Sequence, residues 1–199
     1  MRMLDRLRGP DPPRIIAVDP RLTPVAREAD VHLPVKSGTN LVLVNGPVRE
    51  LIHNGWVDER YVREHTLGFE RLRETVEPYT VERVAEICEV RQEDVREAAR
   101  IVGTAERLLS TVLQGVYQSN QATASACGVN NIHLLRGMLG RPGAGVLQMN
   151  GQPTAQKHAR DGVSNNACSG GWELWLVDRM TDAGGFALGM RASSMLRAV

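Results

Sequence analysis

Apolar and polar positions along the chain change period several times, and each change marks an element. Ile15, Ile16, Ala17 and Val18 form a short continuous apolar run closed by Asp19-Pro20, which predicts a buried strand followed by a turn. Val31, Leu33 and Val35 alternate with His32 and Pro34 and predict a second strand, near a sheet edge because of Pro34. Leu41, Val44, Val48 and Leu51 then fall on one helical face. Ser37 to Asn40 opens that helix, and Asn54-Gly55 closes it. Pro47 lies inside and is expected to kink it or delay its start. Asp58 to His65 and Gly68 to Val76 read as two short helices.

Thr80 is an N-cap residue ahead of Val81, Val84, Ala85 and Cys88, one more helical stripe. Gln92 to Val102 repeats the pattern through Val95, Ala98, Ala99 and Val102, with Glu93 and Asp94 in the first turn, where the helix dipole favours acids. Leu108 to Leu113 returns to strand character and ends at Gln114-Gly115. A long helix over Thr123 to Leu139 should turn Val129, Ile132, Leu135 and Leu139 inward, Gly140 to Gly145 breaks it, and Val146 to Met149 is one more short strand. This order predicts an α/β fold: a partial doubly wound, largely parallel sheet flanked by helices. Ile15–Val18 and Leu108–Leu113 are expected as buried strands of one sheet. Residues 1–13, polar and closed by Pro10, Pro12 and Pro13, read as a connector. Residues 157–199 show no sustained period and read as an irregular C-terminal tail.

Composition narrows the function. The chain has 199 residues, 24 Lys plus Arg against 23 Asp plus Glu, and a formal net charge of +1. That balance gives no electrostatic case for nucleic acid or an anionic membrane as a partner. No run of apolar residues is long enough to span a bilayer, and the start has no signal-peptide core. Cys88, Cys127 and Cys168 are odd in number and have no Cys-x-x-Cys spacing. Three thiols in a reducing, cytoplasmic setting are expected, not a disulfide framework or a zinc site.

Candidate chemistry sits in the loops. Asp19 follows the first strand, where ligands of doubly wound folds gather. It suits ribose hydroxyls or a guanine edge, and equally a turn or cap. Ser37-Gly38-Thr39-Asn40 places a glycine and two hydroxyls at a helix N-terminus, fit for a phosphate or for plain capping. The amide cluster from Gln114 through Gly115, Tyr117 and Gln118 to Gln121 can read a heterocycle's edge, because each amide both donates and accepts. A solvated loop capping the next helix is the other reading. Asn150 to Gln156 is a similar loop or a turn. No histidine shows metal spacing, and His133 is expected to pack within its helix. No catalytic and no metal-ligating residue is assigned.

Taken in order, these segments resemble the molybdopterin-guanine-dinucleotide oxidoreductases, the family of formate dehydrogenases and prokaryotic nitrate reductases. The resemblance runs through Val18-Asp19-Pro20-Arg21, Ala29 to Val35, Gly38-Thr39, Gly115 to Gln118, Asn131 to Leu135, Gly140 to Gly145 and Asn150 to Gln156. Each motif is weak alone; the ordered set over residues 1–156 is specific. It implies that residues 14–156 are an internal α/β domain binding one guanosine-diphosphate arm of a molybdenum or tungsten bis-molybdopterin guanine dinucleotide. Asp19, Arg21, Gly38, Thr39 and Asn40 would face the guanosine and phosphates. Gly115, Tyr117 and Gln118 would line the pyrophosphate or pterin, and Gly151 and Gln152 would approach the pterin.

Two departures matter. Asn40 stands where the family usually has aspartate, and Tyr117-Gln118-Ser119 replaces an Asn-Gln-His loop. The family's iron–sulfur cysteines and its Cys or selenocysteine metal ligand lie ahead of this region and its last pterin-binding domain beyond it, so the chain is expected to be inactive without the remaining parts of the enzyme. Set against the family's usual continuation after Gln156, residues from Lys157 onward are expected to be read out of frame, the alternative being a divergent but genuine C-terminal extension. A non-enzymatic nucleotide-binding module, or a structural or interaction fragment, is the alternative from another class.

Overall fold

The computed structural model describes residues 9–148 and the backbone of Gly189–Met190. Its elements are β1 (Ile16–Val18), α1 (Pro24–Glu28), β2 (Val31–Leu33), α2 (Asn40–His53), α3 (Glu59–His65), β3 (Thr66–Leu67), α4 (Phe69–Val76), α5 (Val81–Cys88), α6 (Gln92–Thr104), β4 (Leu109–Val112), α7 (Gln114–Tyr117), α8 (Ala122–Leu135), β5 (Gly145–Gln148) and β6 (Gly189–Met190). Short strands, parallel in two of their three pairings, lie among helices, the expected class.

Helix starts follow local chemistry. Thr23, Asp58 and Thr80 each accept a hydrogen bond from the backbone N–H three residues on, the N-cap interaction that satisfies a donor left over at a helix start. Pro47 does not delay the start of α2, which runs from Asn40 to His53 with the proline inside it. The residue before the proline is Gly46, which has no Cβ to clash with the proline ring.

Helix α2 is the spine. Its Leu43 joins Val31, Leu33, Val84 and Ile101 in one core cluster. Its Val48 and Leu51 join Val62, Leu72, Val102 and Leu135 in a second. At fully buried positions such as Leu51 and Val84 the chain excludes water, and each such side chain contributes about 1.5–3 kcal/mol relative to exposure.

Three expectations need correcting. The strands do not share one sheet. β1 pairs with β2 (Ile16 opposite Val31) and β4 with β5 (Leu109 opposite Gly145), each a separate parallel pair. A two-stranded pair has no central strand, so Ile16 is only half-buried while Val18 and Leu109 are more than half exposed. Helix α8 keeps only part of the expected stripe: Leu135 is fully buried and Ile132 and Leu139 pack against the second core cluster, but most of its buried face lies elsewhere. It buries Ser125, Cys127, Gly128, Asn131, His133, Leu134 and Leu135, leaves Val129 and Ile132 half-buried, and ends before Leu139. The small residue Gly128 causes this: a Cβ there would lie 2.7 Å from Val44 Cγ1, so α2 and α8 approach on the small face. Finally, Gln114-Gly115 does not merely end β4 but begins α7.

The tail from Lys157 lies outside the described residues, except that β6 pairs antiparallel with β3.

Candidate functional site

Two loops separated by most of the described chain meet at one cleft. The first is Ser37 to Asn40. Gly38 has φ +88°, a left-handed conformation that glycine adopts without strain. The Thr39 hydroxyl donates to Lys36 O (2.8 Å), so it closes the turn and makes no cap bond to α2. The loop is anchored from behind: Lys36 N–H donates to Cys88 O (2.9 Å), and Lys36 Nζ pairs with Glu89 (2.6 Å). Burial pushes the Cys88 thiol pKa up, partly offset by its weak bond to Thr39 O.

The second is the amide-rich segment from Gln114 to Gln121, formed by α7 and the turn into α8. Ser119 Oγ donates to Val116 O (2.7 Å) and tightens that turn. Asn40 joins the two loops: its Nδ2 donates to Gly115 O at 2.8 Å. An aspartate could not make this bond, having no donor when ionised.

Between them lies a cleft of about 670 Å³. Pro20, Val35, Ser37, Gly38 and Asn40 form one wall. Gln114, Gly115, Gln118, Ser119, Asn120 and Gln121 form the other, with Ser125 at the foot of the second. Among the described residues, no lining side chain is ionisable. Amides and hydroxyls that both donate and accept suit an uncharged heterocycle edge and phosphate oxygens. A Cβ added at Gly38 or Gly115 would meet nothing within 4 Å, so the space opens at both lips.

The expected residues divide. Gly38, Asn40, Gly115 and Gln118 line the cleft, and Thr39 supports it. Asp19, Arg21 and Tyr117 stand off its wall. Asp19 Oδ1 accepts from Arg21 N–H (2.8 Å) and Arg21 Nε (3.3 Å). The Arg21 backbone N–H, with the guanidinium's help, holds the Asp19 carboxyl below the usual range. Asp19 thus builds the turn that brings Pro20 to the wall. Gly151 and Gln152 lie outside the described residues.

Sequence reasoning passed over Ser125. It lies four residues after Gln121, one turn further along α8 and therefore on the side that the amide cluster faces. That spacing was its only sequence signal.

His133 is fully buried, with Nε2 2.8 Å from Ser110 Oγ, and burial pushes its pKa down to about 4. It is a packed, neutral histidine. Burial likewise pushes the Cys127 thiol up to about 11. Among the described residues, no three His, Cys, Asp or Glu side chains gather as a metal site. A second, mainly apolar hollow of about 440 Å³ lies beside Val62, Leu67 and Phe69, away from both loops.

Residues 1–194 match the family model of the molybdopterin oxidoreductases, and the chain belongs to that family. It is 36% identical over 142 residues to a nitrate reductase of Synechocystis sp., covering 71% of this chain and 20% of that protein. To formate dehydrogenase H of Escherichia coli it is 36% identical over 143 residues, covering 72% and 20%. Among solved structures, acetylene hydratase from Pelobacter acetylenicus superposes with a TM-score of 0.63 at 26% identity, covering 65% of this chain and 18% of that one. The chain spans about a fifth of the length of the curated relatives it matches. No described helix is long and apolar enough to cross a membrane.

Proposed function

We propose that the cleft binds the guanosine-diphosphate arm of a molybdenum or tungsten bis-molybdopterin guanine dinucleotide, as part of an oxidoreductase of the formate dehydrogenase or nitrate reductase type. One observation carries this: the Gly38–Asn40 loop and the Gln114–Gln121 segment converge on a single neutral cleft, latched from Asn40 to Gly115. The donor set fits the group, since phosphates and a hydrogen-bonding heterocycle ask for hydroxyls, amides and open backbone. Gly38, Thr39 and Asn40 take the guanosine side. Gly115 and Gln118 take the pyrophosphate or pterin, with Tyr117 behind them. Asp19 and Arg21 fix the rim, and Gly151 and Gln152 complete the pterin side.

The cofactor, when bound, supplies the redox chemistry; this chain's residues bind and orient it. The metal ligand, the iron–sulfur relay and the substrate pocket belong to the remaining parts of the enzyme, in a cytoplasmic setting. Residues 1–13 serve as a connector and 14–156 as the cofactor-binding unit. Residues 157–199 are an out-of-frame tail. The family match runs through residue 194, which favours the competing reading of a genuine C-terminal extension, and the coding DNA decides between the two: the out-of-frame reading requires a family-like continuation in one shifted frame beyond codon 156.

Titration calorimetry with guanosine diphosphate tests the cleft. Saturable binding that weakens roughly fivefold in Asn40→Ala and in Gln118→Ala is expected, the worth of one neutral hydrogen bond each. Absence of saturable binding overturns the proposal. Turnover of formate or nitrate by this chain with cofactor alone would overturn the binding-only role.

A further inference from the structure

Helix α8 directs its N-terminus at the cleft, because Ser119, Asn120 and Gln121 all line it. Gln121 is the N-cap residue and makes no side-chain cap bond. A helix start leaves backbone N–H groups without intrahelical partners and carries a partial positive charge. That alone defines no site. Ser125 supplies an independent observation. It reaches the cleft wall, yet the residue has no exposed surface and its Oγ has no hydrogen-bond partner among the described residues. Its own N–H is engaged with Gln121 O at 2.9 Å. An unpartnered buried hydroxyl is unfavourable, and an incoming oxygen would relieve it.

The surrounding chemistry selects the kind of oxygen. Among the described residues, none lining the cleft carries a carboxylate that would repel an anion, and none carries a cation that would serve in place of the helix. We propose that the N-terminus of α8 is an oxyanion subsite for a phosphate group, with Ser125 Oγ as its buried hydrogen-bond donor. This rests on the cleft being a ligand site, and it adds which end of the ligand α8 holds. The phosphate comes either from a nucleotide's diphosphate or from a free phosphate species.

Calorimetry on the full chain separates the possibilities with three probes: guanosine, guanosine diphosphate and inorganic pyrophosphate. Ser125→Ala should weaken the diphosphate and pyrophosphate roughly five- to tenfold and leave guanosine unchanged. The melting temperature of unliganded Ser125→Ala should stay level or rise, because the lost hydroxyl had no partner. A purely structural serine would lower it. Equal affinity of both proteins for the phosphate-bearing probes overturns the subsite, as does an equal loss for guanosine. Pyrophosphate binding that depends on Ser125, without nucleotide binding, keeps the subsite and rejects the nucleotide reading. Nucleotide binding indifferent to Ser125 does the reverse, and failure of all three probes rejects both.

Discussion

Gly103→Ala sets helix propensity against packing, and the structure fixes the winner. Gly103 is buried within α6 beside Trp56, and a Cβ there would overlap Cε3 and Cδ2 of the indole, with even Trp56 Cγ only 3.0 Å away. Propensity alone favours alanine by about 1 kcal/mol. The ring cannot yield by a small backbone shift. Arg136 Nη1 donates to Trp56 O (2.9 Å) and Nη2 to Ala105 O (2.8 Å), while Trp56 N–H donates to Leu51 O (2.9 Å). The indole must therefore leave the cluster it packs against, giving up about 3 kcal/mol of burial and contact. The net is about 2 kcal/mol of destabilisation, or roughly 4–8 °C in melting temperature for a chain of this size. Urea unfolding followed by far-ultraviolet circular dichroism measures it. Gly115→Ala, where a Cβ meets nothing within 4 Å, isolates the propensity effect. A Gly103→Ala protein as stable as the original, or more so, would refute the packing account.

His133 predicts a pH dependence. Burial holds its pKa near 4, whereas in the unfolded chain it titrates near 6.5. The unfolded chain therefore binds more protons between these values. Stability is complete above about pH 6.5 and falls by about 3 kcal/mol as pH drops toward 4. Glu97, held down at about 2 by hydrogen bonds from Arg100 and Arg14, loses its contribution only below the ordinary carboxylate range, so the slope above about pH 5 belongs to His133. Urea midpoints should lose that slope in His133→Gln; a slope that persists there assigns it elsewhere. At the start of α3, Asp58→Ala should cost about 1 kcal/mol by removing the cap on Tyr61 N–H (2.9 Å). Asp58→Asn keeps the cap and should cost far less, because the exposed pairing with Arg141 contributes little. Equal losses in the two variants would shift the credit to the ion pair.

What was legible in the sequence was local. Thr80 with Val81, Val84, Ala85 and Cys88 spelled out α5 from cap to buried face, and the Val95–Val102 stripe gave the buried face of α6. Capping and period act within a few residues, so sequence holds them directly. The facing of α8 was hidden because the first part of its buried side is made of small and polar residues, Ser125, Gly128 and Asn131. Gly128 faces inward where Val44 of α2 comes close, and Ser125 and Asn131, three residues to either side, lie on the same side of the helix. The strand pairing was hidden for a related reason: an apolar run shows that a strand is wanted, not which strands flank it. In the cleft, the polar character of both loops was readable, but not the bridge from Asn40 to Gly115 or the unpartnered hydroxyl of Ser125. Those depend on contacts between distant parts of the chain.

The register of the parallel pairs has a kinetic consequence. Ile16 meets Val31 after a short excursion through α1, whereas Leu109 meets Gly145 only after α7 and α8 have been laid down, more than twice the separation. Each doubling of a closed loop adds about 0.6 kcal/mol of lost chain entropy. On refolding, β1–β2 is expected to close before β4–β5. One whole wall of the cleft lies inside the later loop, so the pocket and the second strand pair are completed together. Amide exchange pulsed during refolding should then protect Ser110 and Val112, whose N–H groups face β5 in this register, at the same moment that the chain first gains affinity for a phosphate-bearing ligand.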